Sequence, residues 1–182
     1  MTQEEIEEKI DQHKLWLSDQ SKGQRAIFIK EDLRWANLGY VNLTKADFFG
    51  SDLRKADFSD ADLGGANFTN ANLRNANLRG TNLNSVNFRN ANLYRAYLSG
   101  SNLNNGEFSS VNFLSLDLKG VDFTKIKDYE TTYIYKDWTL ILIKELVIWQ
   151  KMIETNDKNL AILYKNTWMK EDCKKILRNY YK

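Results

Sequence analysis

The stretch GANFTNANLRNANLRGTNLNSVNFRNANL, residues 65–93, returns a small residue, then Asn, then Leu or Phe every five positions. A period of five is neither the 3.6 of a helix nor the 2 of a strand. Within each motif the order small apolar, polar, large apolar is strand-like alternation lasting three residues. The two remaining residues are rich in Gly, Asn, Ser, Lys and Arg, which suit a bend facing solvent. A chain that runs straight for three residues and bends for two, always in the same sense, winds into a solenoid. Its small and large apolar residues fill the axis and its polar residues face outward.

Outward from this stretch the frame holds without a slip. The large apolar centres run from Leu33 to Phe123 in nineteen motifs, with Ala26 and Phe28 forming a possible twentieth. Phe28, Phe48, Phe68, Phe88 and Phe108 recur every 20 residues, and Gly80, Gly100 and Gly120 repeat that spacing at one bend position. A 15-residue turn would scatter both columns, whereas a 20-residue turn stacks them; a ten-residue register also fits. The expectation is therefore four motifs per turn, nearly five turns, and a column about 24 Å tall at ~4.8 Å per turn.

The run ADFSDADLGGANFTNANLRNANL, residues 56–78, closely resembles the pentapeptide-repeat family. The resemblance covers residues 26–125 and implies an all-β solenoid, a right-handed, four-sided β-helix. Departures from the motif are local: Glu31 and Leu116 at the small position, and Tyr97 and Glu107 at the Asn/Asp position. Gly106-Glu107 is a candidate gap or bend in one turn.

Three segments follow: residues 1–25 as an N-terminal helical cap, 26–125 as the repeat, and 126–182 as an α-helical C-terminal extension. Thr2 and Glu5 have the spacing of a capping box, and Ile6, Ile10, Trp16 and Leu17 form a rough apolar stripe. His13 and Trp16 are expected to pack on the first turn. In the C-terminal segment, DWTLILIKELVIWQKMIE starts with Asp137 as an N-cap and is apolar on nearly all sides, which predicts a helix from 137 onward. A second helix is expected after ETNDKN and a third in KEDCKKILRNYY. Trp138, Ile141, Leu142, Val147 and Trp149 are the candidate surface for capping the last turn or for making a homodimer, as C-terminal helices do in some family members.

Composition closes off several functions. With 26 basic and 24 acidic residues, the net charge of +2 points to neither nucleic acid nor an anionic membrane. The longest apolar run, WTLILIKELVIW, has 12 residues and is interrupted by Lys144 and Glu145, short of the ~20 residues of a bilayer span. The acidic start MTQEEIEEKI lacks the apolar region of a signal peptide, so a soluble, cytoplasmic protein is expected. The single cysteine, Cys173, rules out an intrachain disulfide framework. No nucleotide-binding loop, HExxH or GxSxG is present, and the one histidine lacks partners at suggestive spacing. The Asp residues of the repeat stand in outward positions rather than sharing a pocket, so neither catalysis nor a cofactor or metal is expected.

Two surface features remain. Arg34, Arg54 and Arg74 occupy one position on successive turns, with Lys55 and Arg95 beside them and Trp35 and Tyr94 at either end. They form either a basic stripe for an acidic partner or, as the neighbouring Asp32 and Asp52 favour, a neutralised charge ladder. Stacked asparagines, Asn72, Asn92 and Asn112 on one face and Asn67 and Asn87 on another, are expected to form side-chain ladders. The resemblance also implies a candidate activity, since some family members mimic DNA and bind DNA gyrase, inhibiting it or protecting it from quinolones. The repeat here holds 10 acidic and 11 basic residues, far from the negative charge per ~1.7 Å of duplex DNA. The leading expectation is therefore a non-catalytic, bacterial protein-binding scaffold of unknown partner, with the gyrase-binding mimic as the alternative.

Overall fold

The computed structural model describes residues 1–112, Val121, Ile126, and the backbone of two short strands near residue 140. Parallel bridges join Ile27 to Asp47, Asp32 to Asp52, Asn37 to Asp57 and Asn42 to Asp62, and the pattern continues to Asn92 and Asn112. Each bridge spans 20 residues, so one turn takes four motifs; this excludes both the ten- and the fifteen-residue registers. The straight segments are three residues long, which is why each contributes one bridge rather than a long strand. Every rung is made the same way. The Phe48 N–H reaches the Asn67 carbonyl at 2.8 Å, the Gly50 N–H reaches Thr69 at 2.9 Å, and the Asn67 N–H returns to Ala46 at 3.0 Å.

The bends have one conformation. The second bend residue of each motif, from Lys30, Trp35 and Tyr40 to Asn105 and Ser110, has φ between 53° and 72°. This left-handed region suits Gly and Asn and disfavours bulky L residues. Gly80 is held there at φ 66°, and an added Cβ would run into the Asp60 carboxylate on the turn below.

The axis is filled. Ala, Leu and Phe at the inward positions are almost completely buried from Ala26 to Val111. Phe28, Phe48 and Phe68 stack face to face at 5.0 and 4.7 Å, Phe88 continues the stack at 5.1 Å, and Phe58 meets Phe48 and Phe68 edge-on at 5.6 and 5.7 Å. Where a hydroxyl replaces an inward methyl, it finds a carbonyl: Ser51 donates to Phe28, Thr81 to Phe58 at 2.9 Å, and Ser101 to Leu98 at 2.7 Å. Gly106-Glu107 does not interrupt the coil. Glu107 bridges Asn87, and the Phe88 N–H meets its carbonyl at 2.8 Å.

Helix α1, Gln3–Ser18, starts with the expected capping box: Glu5 N–H donates to Thr2 Oγ1 and Thr2 N–H to the Glu5 carboxylate. Ile6, Ile10 and His13 are buried, and Ile6 and Ile10 join the core cluster of the repeat. The first turn of the solenoid has no turn beneath it to supply donors, and α1 supplies them. Lys9 Nζ donates to the Ile27 carbonyl at 3.1 Å, the Met1 amine to Asp32 at 3.1 Å, and Gln3 Nε2 to Asn37 at 3.2 Å. These carbonyls belong to three successive sides, each at the position that on later turns accepts a rung bond.

Strands β1, Tyr133–Lys136, and β2, Thr139–Leu142, form an antiparallel pair with Lys136 opposite Thr139 and Ile134 opposite Ile141. This corrects the helix predicted from Asp137. YIYK and TLIL are aromatic and β-branched segments two residues apart, which satisfies a hairpin; the unbroken apolar character on which the helix rested is equally that of a strand. Trp138, Val147, Trp149, the side chains of Ile141 and Leu142, and the later expected helices lie outside the described residues. Among the described residues no helix is long and apolar enough to cross a membrane.

Candidate interaction face

The side bearing Arg34, Arg54 and Arg74 is built from equivalent motifs on successive turns, Asp32–Trp35, Asp52–Lys55, Asn72–Asn75 and Asn92–Arg95. In each, the Asp or Asn oxygen accepts the backbone N–H two residues on, from Arg34 at 3.2 Å, Arg54 at 3.3 Å, Arg74 at 3.4 Å and Tyr94 at 3.1 Å. The same bond recurs on the other sides, for example from Thr44 to Asn42 and Phe49 to Asp47. It explains the Asn/Asp position: the side chain secures the bend that follows it.

The face divides into two halves. In the lower half Arg34 Nε and Nη2 grip Asp32 at 2.8 and 2.6 Å, and Arg54 Nε and Nη2 grip Asp52 at 2.8 and 2.6 Å. Arg34 also stands 3.9 Å from the Asp52 carboxylate on the next turn. The Arg34 side chain and backbone N–H pull the Asp32 carboxyl down to about 2, Arg54 lowers Asp52, and the carboxylates in turn raise both guanidinium groups. The neutralised ladder is therefore formed here.

In the upper half Asn72 and Asn92 stand where the lower half has aspartates, and the pairing changes. The Arg74 guanidinium lies 5.0 Å from the centre of the Tyr94 ring, and that of Arg95 lies 5.1 Å from the same ring. Neither arginine has a carboxylate partner among the described residues. At the lower end Lys55 Nζ sits 3.9 Å over the Trp35 ring, and Trp35 is 68% exposed. All seven candidate residues thus lie on one side or its adjoining corner.

Several carboxylates elsewhere serve the fold. Rung-to-rung amide bonds run from Asn67 to Asp47, Asn77 to Asp57 and Asn82 to Asp62 at 2.9 to 3.0 Å. Between Asn72 and Asn92 the expected ladder bond does not form: neither amide nitrogen donates to a neighbour among the described residues. His13 is buried, accepts the Ala26 N–H on Nδ1 at 3.1 Å and stacks on Trp16. A cleft of about 600 Å³ between α1 and the first turn is lined by Glu5, Glu8, Lys9, Arg25 and Glu31, outside the filled axis. Among the described residues no three His, Cys, Asp or Glu side chains converge as metal ligands would.

The sequence model for pentapeptide repeats matches residues 27–65, 51–90, 66–105 and 91–127, in 8 copies. The chain belongs to the pentapeptide-repeat family. Among solved structures it is similar to the pentapeptide-repeat protein Rfr23 of the cyanobacterium Cyanothece 51142, at 33% identity over 53% of this chain and 60% of that one, with a TM-score of 0.43. The chain thus spans less than two thirds of that relative. A pentapeptide-repeat protein of the Arabidopsis thaliana thylakoid lumen aligns at 24% identity over 69% of this chain and 89% of its own, TM-score 0.31. The plasmid-mediated fluoroquinolone resistance protein QnrB1 aligns at 20% identity over 73% of this chain and 76% of its own, TM-score 0.27. Among curated proteins no relative is matched.

A pentapeptide-repeat frame aligns the seven residues, and the letters already set Asp32 and Asp52 beside Arg34 and Arg54 but Asn72 beside Arg74. The 20-residue turn stacks Arg34, Arg54 and Arg74. The split depends on which of them meets a carboxylate two residues earlier, and that grip became visible with the bend geometry.

Proposed function

We propose that this pentapeptide-repeat chain is a non-catalytic scaffold that binds a protein partner through the face carrying Arg34, Trp35, Arg54, Lys55, Arg74, Tyr94 and Arg95. The observation that carries the reading is the pairing of cations with aromatic rings between successive turns, Lys55 with Trp35 and Arg74 with Tyr94. Trp, Tyr and Arg dominate binding energy at protein interfaces, and here the rung bonds beneath them hold the backbone in place before any partner arrives. A duplex mimic is less well supported, because the carboxylates of this face are gripped by arginines.

The test is affinity capture from the source cell with the native chain, with a Trp35→Ser/Arg74→Ser/Tyr94→Ser variant, and with a Thr44→Ser/Thr69→Ser control on other sides. A partner retained by the control and lost by the face variant supports the reading. Capture indifferent to the face variant overturns it, and inhibition of gyrase supercoiling by the native chain would replace it with the mimic.

A further inference from the structure

Resting on the scaffold reading, we propose that the upper half of the face is an anion-recognition site for an acidic segment of the partner protein, with Asn72, Arg74, Asn92, Tyr94 and Arg95 as its contacts. The two halves share one backbone and differ in their side-chain acceptors. In the lower half each guanidinium is satisfied by the aspartate two residues before it. In the upper half that position is Asn; its oxygen is used by the bend N–H and its amide nitrogen donates to nothing among the described residues. Arg74 and Arg95 converge on Tyr94 from two sides, both exposed and both without a carboxylate among the described residues. The result is a patch of cationic donors with no carboxylate of its own among the described residues. Its complement is a group that offers several acceptor oxygens and negative charge.

A carboxylate-bearing peptide fits better than a nucleic acid. Two arginines match two or three side-chain carboxylates, whereas nucleic-acid binders commonly make about 6–10 phosphate contacts. The turn below is also unsuited to a polyanion, since Asp52 stands there directly beneath Asn72.

The experiment titrates the intact chain with a short oligo-glutamate peptide and follows amide and guanidinium NMR shifts, with an oligo-glutamine peptide and a short DNA duplex in parallel. Saturable shifts at Arg74, Tyr94 and Arg95, absent with glutamine and weakened by salt, are expected. The deciding variant is Asn72→Asp, which restores the acceptor that occupies Arg34 and Arg54 without removing any arginine. It should weaken glutamate binding at least about tenfold, as should Arg74→Gln, while Arg34→Gln should not. Equal binding by the native chain and Asn72→Asp overturns the proposal, as does tighter binding of the duplex than of the peptide. If oligo-glutamate fails while face-dependent capture of a partner persists, the acidic partner falls and the scaffold stands; if both fail, both fall.

Discussion

The Nδ1 atom of His13, on helix α1, accepts the backbone N–H of Ala26, the first inward residue of the solenoid, at 3.1 Å. Burial is the main cause that holds the imidazole below its ordinary 6.5, with Arg25 acting in the same direction and the Thr44 backbone opposing. The folded chain therefore binds fewer protons than the unfolded chain as pH drops below 6.5. Its full contribution to stability is present above that value and is lost progressively as pH falls toward the folded-state value. Thermal melts between neutral and mildly acidic pH should show a declining midpoint. In a His13→Phe variant that slope should flatten, with a pH-independent loss of about 1–3 kcal/mol from the orphaned Ala26 N–H. Parallel slopes for the two proteins would contradict the assignment.

The donors that α1 offers to the first turn should matter individually but modestly. Lys9→Met retains the aliphatic stem and removes the bond to the Ile27 carbonyl. It is expected to cost about 0.5–1.5 kcal/mol in urea unfolding. Hydrogen exchange should speed up at Phe28 and Leu33, on the turn that rests on the helix, and remain unchanged at Phe88.

The phenylalanine stack is where a single truncation should hurt most. Phe48 touches Phe28 and Phe68 face to face and Phe58 edge-on, with no exposure. Phe48→Ala should lose about 3–5 kcal/mol. A loss no larger than that of an exposed arginine variant such as Arg54→Ala would mean that the axis is not packed as described.

Asp32 supplies a titration that reports on the lower half of the face. Its carboxyl should titrate at about 2 by carbon-detected NMR and return toward its ordinary 3.8 in Arg34→Gln, since Arg34 is the main cause of the shift. Because the folded value is depressed, whatever the pair contributes is present above 3.8 and disappears as pH falls through about 2.

Trp35 separates stability from recognition. It sits at φ 65° with most of its surface exposed. The left-handed conformation costs an L residue about 1–2 kcal/mol, more than the about 0.5–1 kcal/mol of an exposed cation–π contact. Trp35→Asn should therefore leave the melting temperature unchanged or raise it while weakening partner capture. A clear fall in stability would assign the ring a structural role.

How much of this could be read from the letters differs by level. The turn length was legible because Phe28, Phe48 and Phe68 mark one column, and the helix start because Thr2 and Glu5 satisfy a local rule. The purpose of the Asn/Asp column was not. An outward polar residue looks like a solvated one until the N–H two residues on is seen to point at it, as at Asn42 and Thr44. For the same reason the ladder bond expected between Asn72 and Asn92 was misplaced. The strand at Thr139–Leu142 was missed because a short, wholly apolar run carries no period to distinguish strand from helix.

The 20-residue bridge spacing also governs which length changes this protein tolerates. Excising one motif between Arg54 and Arg74 would leave the inward pattern intact and rotate everything downstream by a quarter turn. Tyr94 and Arg95 would then project from a different side than Arg34. Excising four consecutive motifs would shorten the column by one storey and return every later side chain to its original compass direction. Insertions and deletions are therefore quantised twice, in fives for folding and in twenties for the alignment of the face.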